Sequence, residues 1–134
     1  MTCLFCQIVK KEQFAYIIGE NEENLAILDV FPVSLGHTLI ITKKHFANVA
    51  EINMESWNNI LPLLKKVIAK IQETYNPTGF NIITNMGEMA FQSIFHLHIH
   101  IIPKYKKNEG FNWSVQSAPG DLDLITLGKK LKIK

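Results

Sequence analysis

Three imidazoles alternate with aliphatic side chains in Phe95-His96-Leu97-His98-Ile99-His100-Ile101-Ile102-Pro103. Successive side chains of an extended strand point to opposite faces. This spacing therefore places His96, His98 and His100 on one face and Leu97, Ile99 and Ile101 on the other. At a rise of about 3.3 Å per residue the imidazoles would stand roughly 7 Å apart. With an unperturbed pKa of about 6.5, imidazole can act near neutral pH as a nucleophile, a base or a metal ligand. Three of the five histidines of the chain share that face, which points to chemistry there rather than to an edge strand that happens to carry histidine.

A second set of reactive side chains lies at the start. The only cysteines, Cys3 and Cys6, are spaced C-x-x-C. In a reducing compartment this favours metal binding or redox work over a structural disulfide. Two histidines would complete a Cys₂His₂ tetrahedral set, the closed arrangement that Zn²⁺ takes in structural roles. His45 and His96 are the candidates. The plainer alternative is a pair of small buried apolar groups near a terminus.

These groups need elements to position them. Apolar residues at Leu4, Phe5, Ile8 and Val9 predict a short amphipathic helix within Cys3 to Lys11. Ala15 to Gly19 and Leu25 to Asp29 read as two strands around the polar turn Glu20 to Asn24. Val30 to Gly36 is a loop, with Pro32 holding Phe31 extended, and His37 to Thr42 is a strand rich in β-branched residues. From an N-cap at Asn53, the stripe Met54, Trp57, Ile60, Leu61, Leu64, Ile68 and Ile71 predicts a long helix ending near Tyr75-Asn76-Pro77, bent but not broken by Pro62. Phe80 to Thr84 is a strand, Asn85 to Phe91 a loop, and Ser93 to Pro103 the histidine strand. Lys104 to Gly120 is irregular, with Trp113 as an anchor, and Leu122, Ile125, Leu127 and Leu131 allow a short C-terminal helix. The order predicts an α+β fold, an antiparallel sheet of about five strands covered by helices on one face.

Length and charge narrow the function. At 134 residues the chain fits one domain. A net charge of +2, with neither a clustered basic face nor an aromatic ladder, excludes a nucleic-acid-coating protein. The basic end at Lys129, Lys130, Lys132 and Lys134 reads as a solvated helix end or tail. The N-terminus lacks a basic region leading into a long apolar run, and no window reaches about 18 consecutive apolar residues. A soluble, cytoplasmic protein with no membrane partner is expected.

The run His-x-His-x-His followed by two aliphatic residues and preceded by Gln92-Ser93 resembles the signature of the histidine triad (HIT) nucleotide hydrolases and transferases. The likeness extends over nearly the whole chain, in particular to small bacterial-type members of the histidine triad nucleotide-binding branch. It implies a HIT-like fold with one long helix and a short N-terminal helix, usually paired as a homodimer. Residues 1–134 would form one HIT domain, with 1–110 as core and 111–134 as a C-terminal tail segment. Members with an N-terminal C-x-x-C commonly bind structural zinc, which supports Cys3, Cys6, His45 and His96 as ligands.

By the same resemblance His98 is the nucleophile toward the α-phosphorus of a purine nucleotide conjugate, an AMP-like partner. His100 would reach the phosphate oxygens, and His37 would support the triad's hydrogen bonds. Ser93 would contact the phosphate and help protonate the leaving group, which an amine needs before it can depart near pH 7. Asp29 would accept hydrogen bonds from the ribose, Asn85 would contact phosphate or sugar with Gln92 assisting, and Leu4, Phe5, Ile8, Ile27 and Val30 would form the base pocket. Two departures from the family pattern stand out: Phe91 replaces the usual glycine before Gln92, and a longer tail with Trp113 replaces the short Trp-Pro-Pro-Gly ending. The implied activity is cleavage of the P–N bond of purine nucleoside 5′-phosphoramidates. Hydrolysis of dinucleoside polyphosphates and a nucleotide-binding scaffold role are the alternatives.

Overall fold

The computed structural model describes residues 3–133; Met1, Thr2 and the expected basic terminus at Lys134 lie outside the described residues. Five strands form one antiparallel sheet: β1 (Ile17–Glu20), β2 (Asn24–Leu28), β3 (Thr38–Thr42), β4 (Gly79–Ile83) and β5 (His98–Lys104). Their order is β1-β2-β3-β5-β4, so β5 runs between β3 and β4 and the histidine run lies well inside the sheet. Among the described residues three α-helices accompany it, α1 (Leu4–Val9), α2 (Met54–Tyr75) and α3 (Leu124–Leu131). The expected α+β architecture is the one observed, except that helices cover both sheet faces and not one: α2 lies on one, and α1 docks on the other because Phe5 and Ile8 bury their apolar side chains there.

Helix α2 begins where its sequence says it should. The Asn53 side chain accepts a hydrogen bond from Ser56 N–H at 2.8 Å, satisfying one of the donors left free at a helix start. Asn76 closes it in the left-handed conformation, φ 51°, and Pro77 follows. Pro62 lies inside on the solvent side and the helix continues through it.

Two apolar layers cover the two sheet faces. On one, Ala26, Ile40, Leu97, Ile99 and Ile101 pack against Ile60, Leu63, Val67 and Ile71 of α2. On the other, Leu25, Ile27, Leu39 and Ile41 pack against Phe5 and Ile8 of α1. Six residues are too few for a helix to persist unaided, so α1 owes its existence to this docking. Because Ile41 pairs with His98 and Leu39 with His100, the imidazoles share the α1 face while Leu97, Ile99 and Ile101 go to the α2 core. The alternation read from the sequence thus decides which side of β5 carries chemistry.

The histidine strand is shorter at its start than expected. It begins at His98, not Ser93, because β3 ends at Thr42 and offers no partner beyond the Ile41–His98 pair. The preceding backbone turns instead to the loop after β3, with Leu97 N–H donating to Phe46 O at 2.7 Å. The loop at 85–91 contains a single 3₁₀ turn at Glu88–Ala90. Phe91 has φ 69°, the left-handed conformation that glycine takes without steric cost.

Candidate active site and metal cluster

The imidazole of His98 is held by its own strand. Its Nδ1 lies 2.8 Å from the backbone oxygen of His96; a carbonyl only accepts, so Nδ1 carries the proton and Nε2 keeps its lone pair. Burial pushes the His98 pKa below the ordinary imidazole value, against the His96 carbonyl and the Asp29 charge, which favour protonation. The ring is therefore neutral near pH 7, with an unprotonated Nε2.

A relay lies beside it. Val33 N–H donates to His37 Nδ1 at 3.2 Å, which leaves the proton of His37 on Nε2. That nitrogen is 3.0 Å from His100 Nδ1 and 3.4 Å from Asp29 Oδ2. His100 then accepts at Nδ1 and carries its own proton on Nε2, where it can donate to a bound anion. Burial and the neighbouring His98 and His37 push His100 down to about 4, and burial lowers His37. Asp29, His37 and His100 converge as three metal-ligating types would. However, the Val33 bond makes His37 Nε2 a donor, so this cluster is a hydrogen-bond chain.

These groups open onto a cavity of about 850 Å³, within the usual range for small-molecule sites. Asp29, His37, Asn85, Ser93, His98 and His100 all line it, so six residues expected at a site come together from β5 and from the loops that join β2 to β3 and β4 to β5. Among those expected at the site, Gln92 does not line it. It is 3% exposed, and its amide accepts from Gly87 N–H at 2.9 Å while donating to Ala47 O at 2.6 Å and Ile94 O at 3.1 Å. The side chain is used in shaping the 87–94 loop.

The five residues expected at a base pocket also divide. Phe5, Ile8 and Ile27 are buried in the layer beneath α1, Leu4 faces a separate cavity beside the cysteines, and Val30 is exposed. Their apolar character is first of all what docks α1 onto the sheet.

The far wall of the cavity was not legible beforehand. Phe111 to Val115 form it, with Phe31, Val33 and Phe91 across the opening. Trp113 is 78% exposed and lines the mouth rather than anchoring the tail by burial. The tail is held instead by Lys104 Nζ, which donates to the carbonyls of Glu109 and Phe111. Gly110 assists: at φ +68°, a Cβ there would come within 2.7 Å of Val33 O. Helix α3 follows, with Lys129 and Lys130 in its last turn, on the expected residues.

The second cluster joins the start of the chain to the loop after β3 and to the segment just before β5. Nδ1 of His96 lies 3.3 Å from Cys3 Sγ, 3.5 Å from Cys6 Sγ and 3.2 Å from His45 Nδ1, and Cys6 Sγ is 3.3 Å from that same His45 nitrogen. A tetrahedral zinc with ordinary bond lengths would separate its ligand atoms by about 3.3 Å (N to N) and about 3.5 Å (S to N). The donor set therefore fits the ion. Nε2 of His96 donates to Thr42 O at 2.7 Å, which fixes the tautomer that leaves Nδ1 free to ligate. Burial pushes His96 down to about 4, keeping it neutral as a ligand must be, and burial together with Cys3 pushes the Cys6 thiol up. Two adjacent thiols ionise together only with a cation between them.

Known proteins resemble this chain in sequence and in fold. The family model described as "HIT domain" matches residues 10–107. The adenosine 5′-monophosphoramidase of Schizosaccharomyces pombe is 38% identical, over 100% of this chain and 98% of its own. A crystal structure of a HIT family protein from Bacillus anthracis superposes with a TM-score of 0.88 at 34% identity, covering 96% of this chain and 92% of that one. A zinc-bound histidine triad family protein from Mycobacterium smegmatis gives 0.75 at 32% identity, covering 90% and 85%. A strand that delivers two imidazoles to one cavity, and a match over most of the chain, lead to one conclusion: the protein belongs to the HIT domain family.

Proposed function

We propose that this chain is a nucleotide hydrolase that cleaves the P–N bond of purine nucleoside 5′-phosphoramidates through a nucleotidyl-His98 intermediate. The observation that carries it is the hydrogen bond from His98 Nδ1 to His96 O, which leaves Nε2 unprotonated beside the cavity. In the first step Nε2 attacks the α-phosphorus, the P–Nε2 bond forms, and the P–N bond to the leaving amine breaks. The amine departs neutral by taking the Ser93 hydroxyl proton, which Ser93 regains from a solvent water, and His100 Nε2–H stabilises the phosphoryl oxygens. In the second step water attacks phosphorus, P–Nε2 breaks, and the nucleoside monophosphate leaves. Asp29 and Asn85 are assigned to the sugar and phosphate edges of the substrate.

Cys3, Cys6, His45 and His96 would hold a zinc ion in this scheme. It supplies positive charge to two thiolates and a cross-link between α1 and the sheet, and takes no part in the reaction. A single domain with 1–110 as core and 111–134 as tail, working as a homodimer, completes the reading.

The monophosphoramidase relative favours an amine leaving group, and Ser93 on the cavity wall suits it. The test is turnover of an adenosine 5′-phosphoramidate against diadenosine tetraphosphate, with trapping of labelled nucleotide on the protein by quenching in denaturant at alkaline pH, where a P–N bond to imidazole survives. A higher kcat/KM for the phosphoramidate and label at His98 are expected. A higher kcat/KM for the dinucleotide would replace the substrate class, and absence of label at His98 would overturn the mechanism.

A further inference from the structure

His98 is fixed by a single hydrogen bond, and one bond leaves a ring free to swing about its axis. Something must hold the plane of the imidazole. Two rings flank it: His100, with centroids 5.2 Å apart, and Phe5, 5.0 Å away and inclined at 67°. Phe5 is 3% exposed and also meets His96 edge-on at 5.8 Å and 84°. It lies between Cys3 and Cys6, on the short helix whose N-cap and first turn carry two of the four convergent donors.

From this arrangement we propose that Phe5 is a positioning residue for His98, and that the Cys3/Cys6/His45/His96 cluster sets the orientation of the nucleophile by clamping the helix that carries Phe5. The coupling has two arms, both short. His96 enters the cluster through its ring and holds His98 through its backbone carbonyl. Phe5 is carried by α1, a helix of six residues that cannot stand without its docking. An edge-to-face contact is directional, so the ring sets a plane where an aliphatic side chain would only fill volume.

The inference rests on His98 being the nucleophile, and its test separates the two ideas. Phe5→Leu keeps an apolar side chain and removes the flat edge; Phe5→Met does the same with a longer side chain and stands in if the first fails to fold. Wild type, Phe5→Leu and Cys6→Ser are compared by metal content, by ¹⁵N–¹H correlation of the histidine rings, and by kcat and KM. In Phe5→Leu the metal content should hold, the His98 ring signals should shift or broaden while those of His37 stay, and kcat should fall about 10- to 100-fold with KM little changed. Cys6→Ser should lose metal and reproduce the His98 signature. Unchanged His98 signals in Phe5→Leu, or in Phe5→Met if the former does not fold, overturn the proposal. If wild type turns over no phosphoramidate, the functional reading fails while the ring signals still judge the positioning.

Discussion

Nε2 of His37 donates to Nδ1 of His100 across 3.0 Å, and the direction of that bond is set by a third group, the Val33 N–H that occupies His37 Nδ1. Both rings are consequently neutral in the folded protein, each with a defined tautomer. A proton added to either one disrupts the chain.

That arrangement predicts a loss of stability in acid. His100 is pushed down to about 4 from an ordinary 6.5, and His37 is lowered as well. A histidine with a depressed folded pKa takes up its proton more readily in the unfolded chain, so its contribution is complete above about 6.5 and is lost as pH falls toward about 4. Thermal midpoints of wild type and His100→Gln between pH 7.5 and 4 provide the check. The wild-type midpoint should fall more steeply with acid; parallel curves would mean that His100 titrates normally.

Ser93 should matter in proportion to how badly the leaving group needs a proton. Ser93→Ala is expected to lower kcat/KM on an alkylamine phosphoramidate by about 10². On a nucleoside phosphate ester of an acidic phenol, which leaves without a proton, the same change should cost far less. Equal losses on both substrates would remove Ser93 from the protonation step.

Metal should stabilise the protein and be held at about one ion per chain. Binding at 100 times its dissociation constant contributes about 2.7 kcal/mol, which in a domain of this size moves the thermal midpoint by roughly 10 °C. Chelation, or Cys3→Ser with Cys6→Ser, should bring the midpoint down by that order. Elemental analysis finding no zinc in untreated protein would refute the assignment.

Gln92 offers a test between two roles. If its amide shapes the loop, as its three hydrogen bonds imply, Gln92→Ala leaves buried partners unsatisfied and costs about 2–3 kcal/mol of unfolding free energy. A contact with substrate would instead raise KM at unchanged stability. Denaturant unfolding beside steady-state kinetics decides.

Much of this molecule can be read locally. The apolar period and Asn53 define α2, and the two-residue alternation of 96–101 assigns Leu97, Ile99 and Ile101 to the core and the imidazoles to the other face. Helical and strand periods are properties of the chain itself, so a window of a dozen residues carries them. The start of β5 is not legible locally, because strand length depends on a partner and β3 stops at Thr42.

Residue types and spacing, then, determined the elements and which groups could do chemistry: histidines on one strand face, paired cysteines, a hydroxyl and a carboxylate. Only the tertiary structure decided who meets whom. Cys3 and His96 are 93 residues apart with Sγ and Nδ1 3.3 Å apart, Gln92 turns inward to brace a loop, and Phe5 rests edge-on against His98. Such contacts arise from burying apolar surface and pairing buried polar groups across the whole chain, a balance of long-range energies that no local pattern encodes.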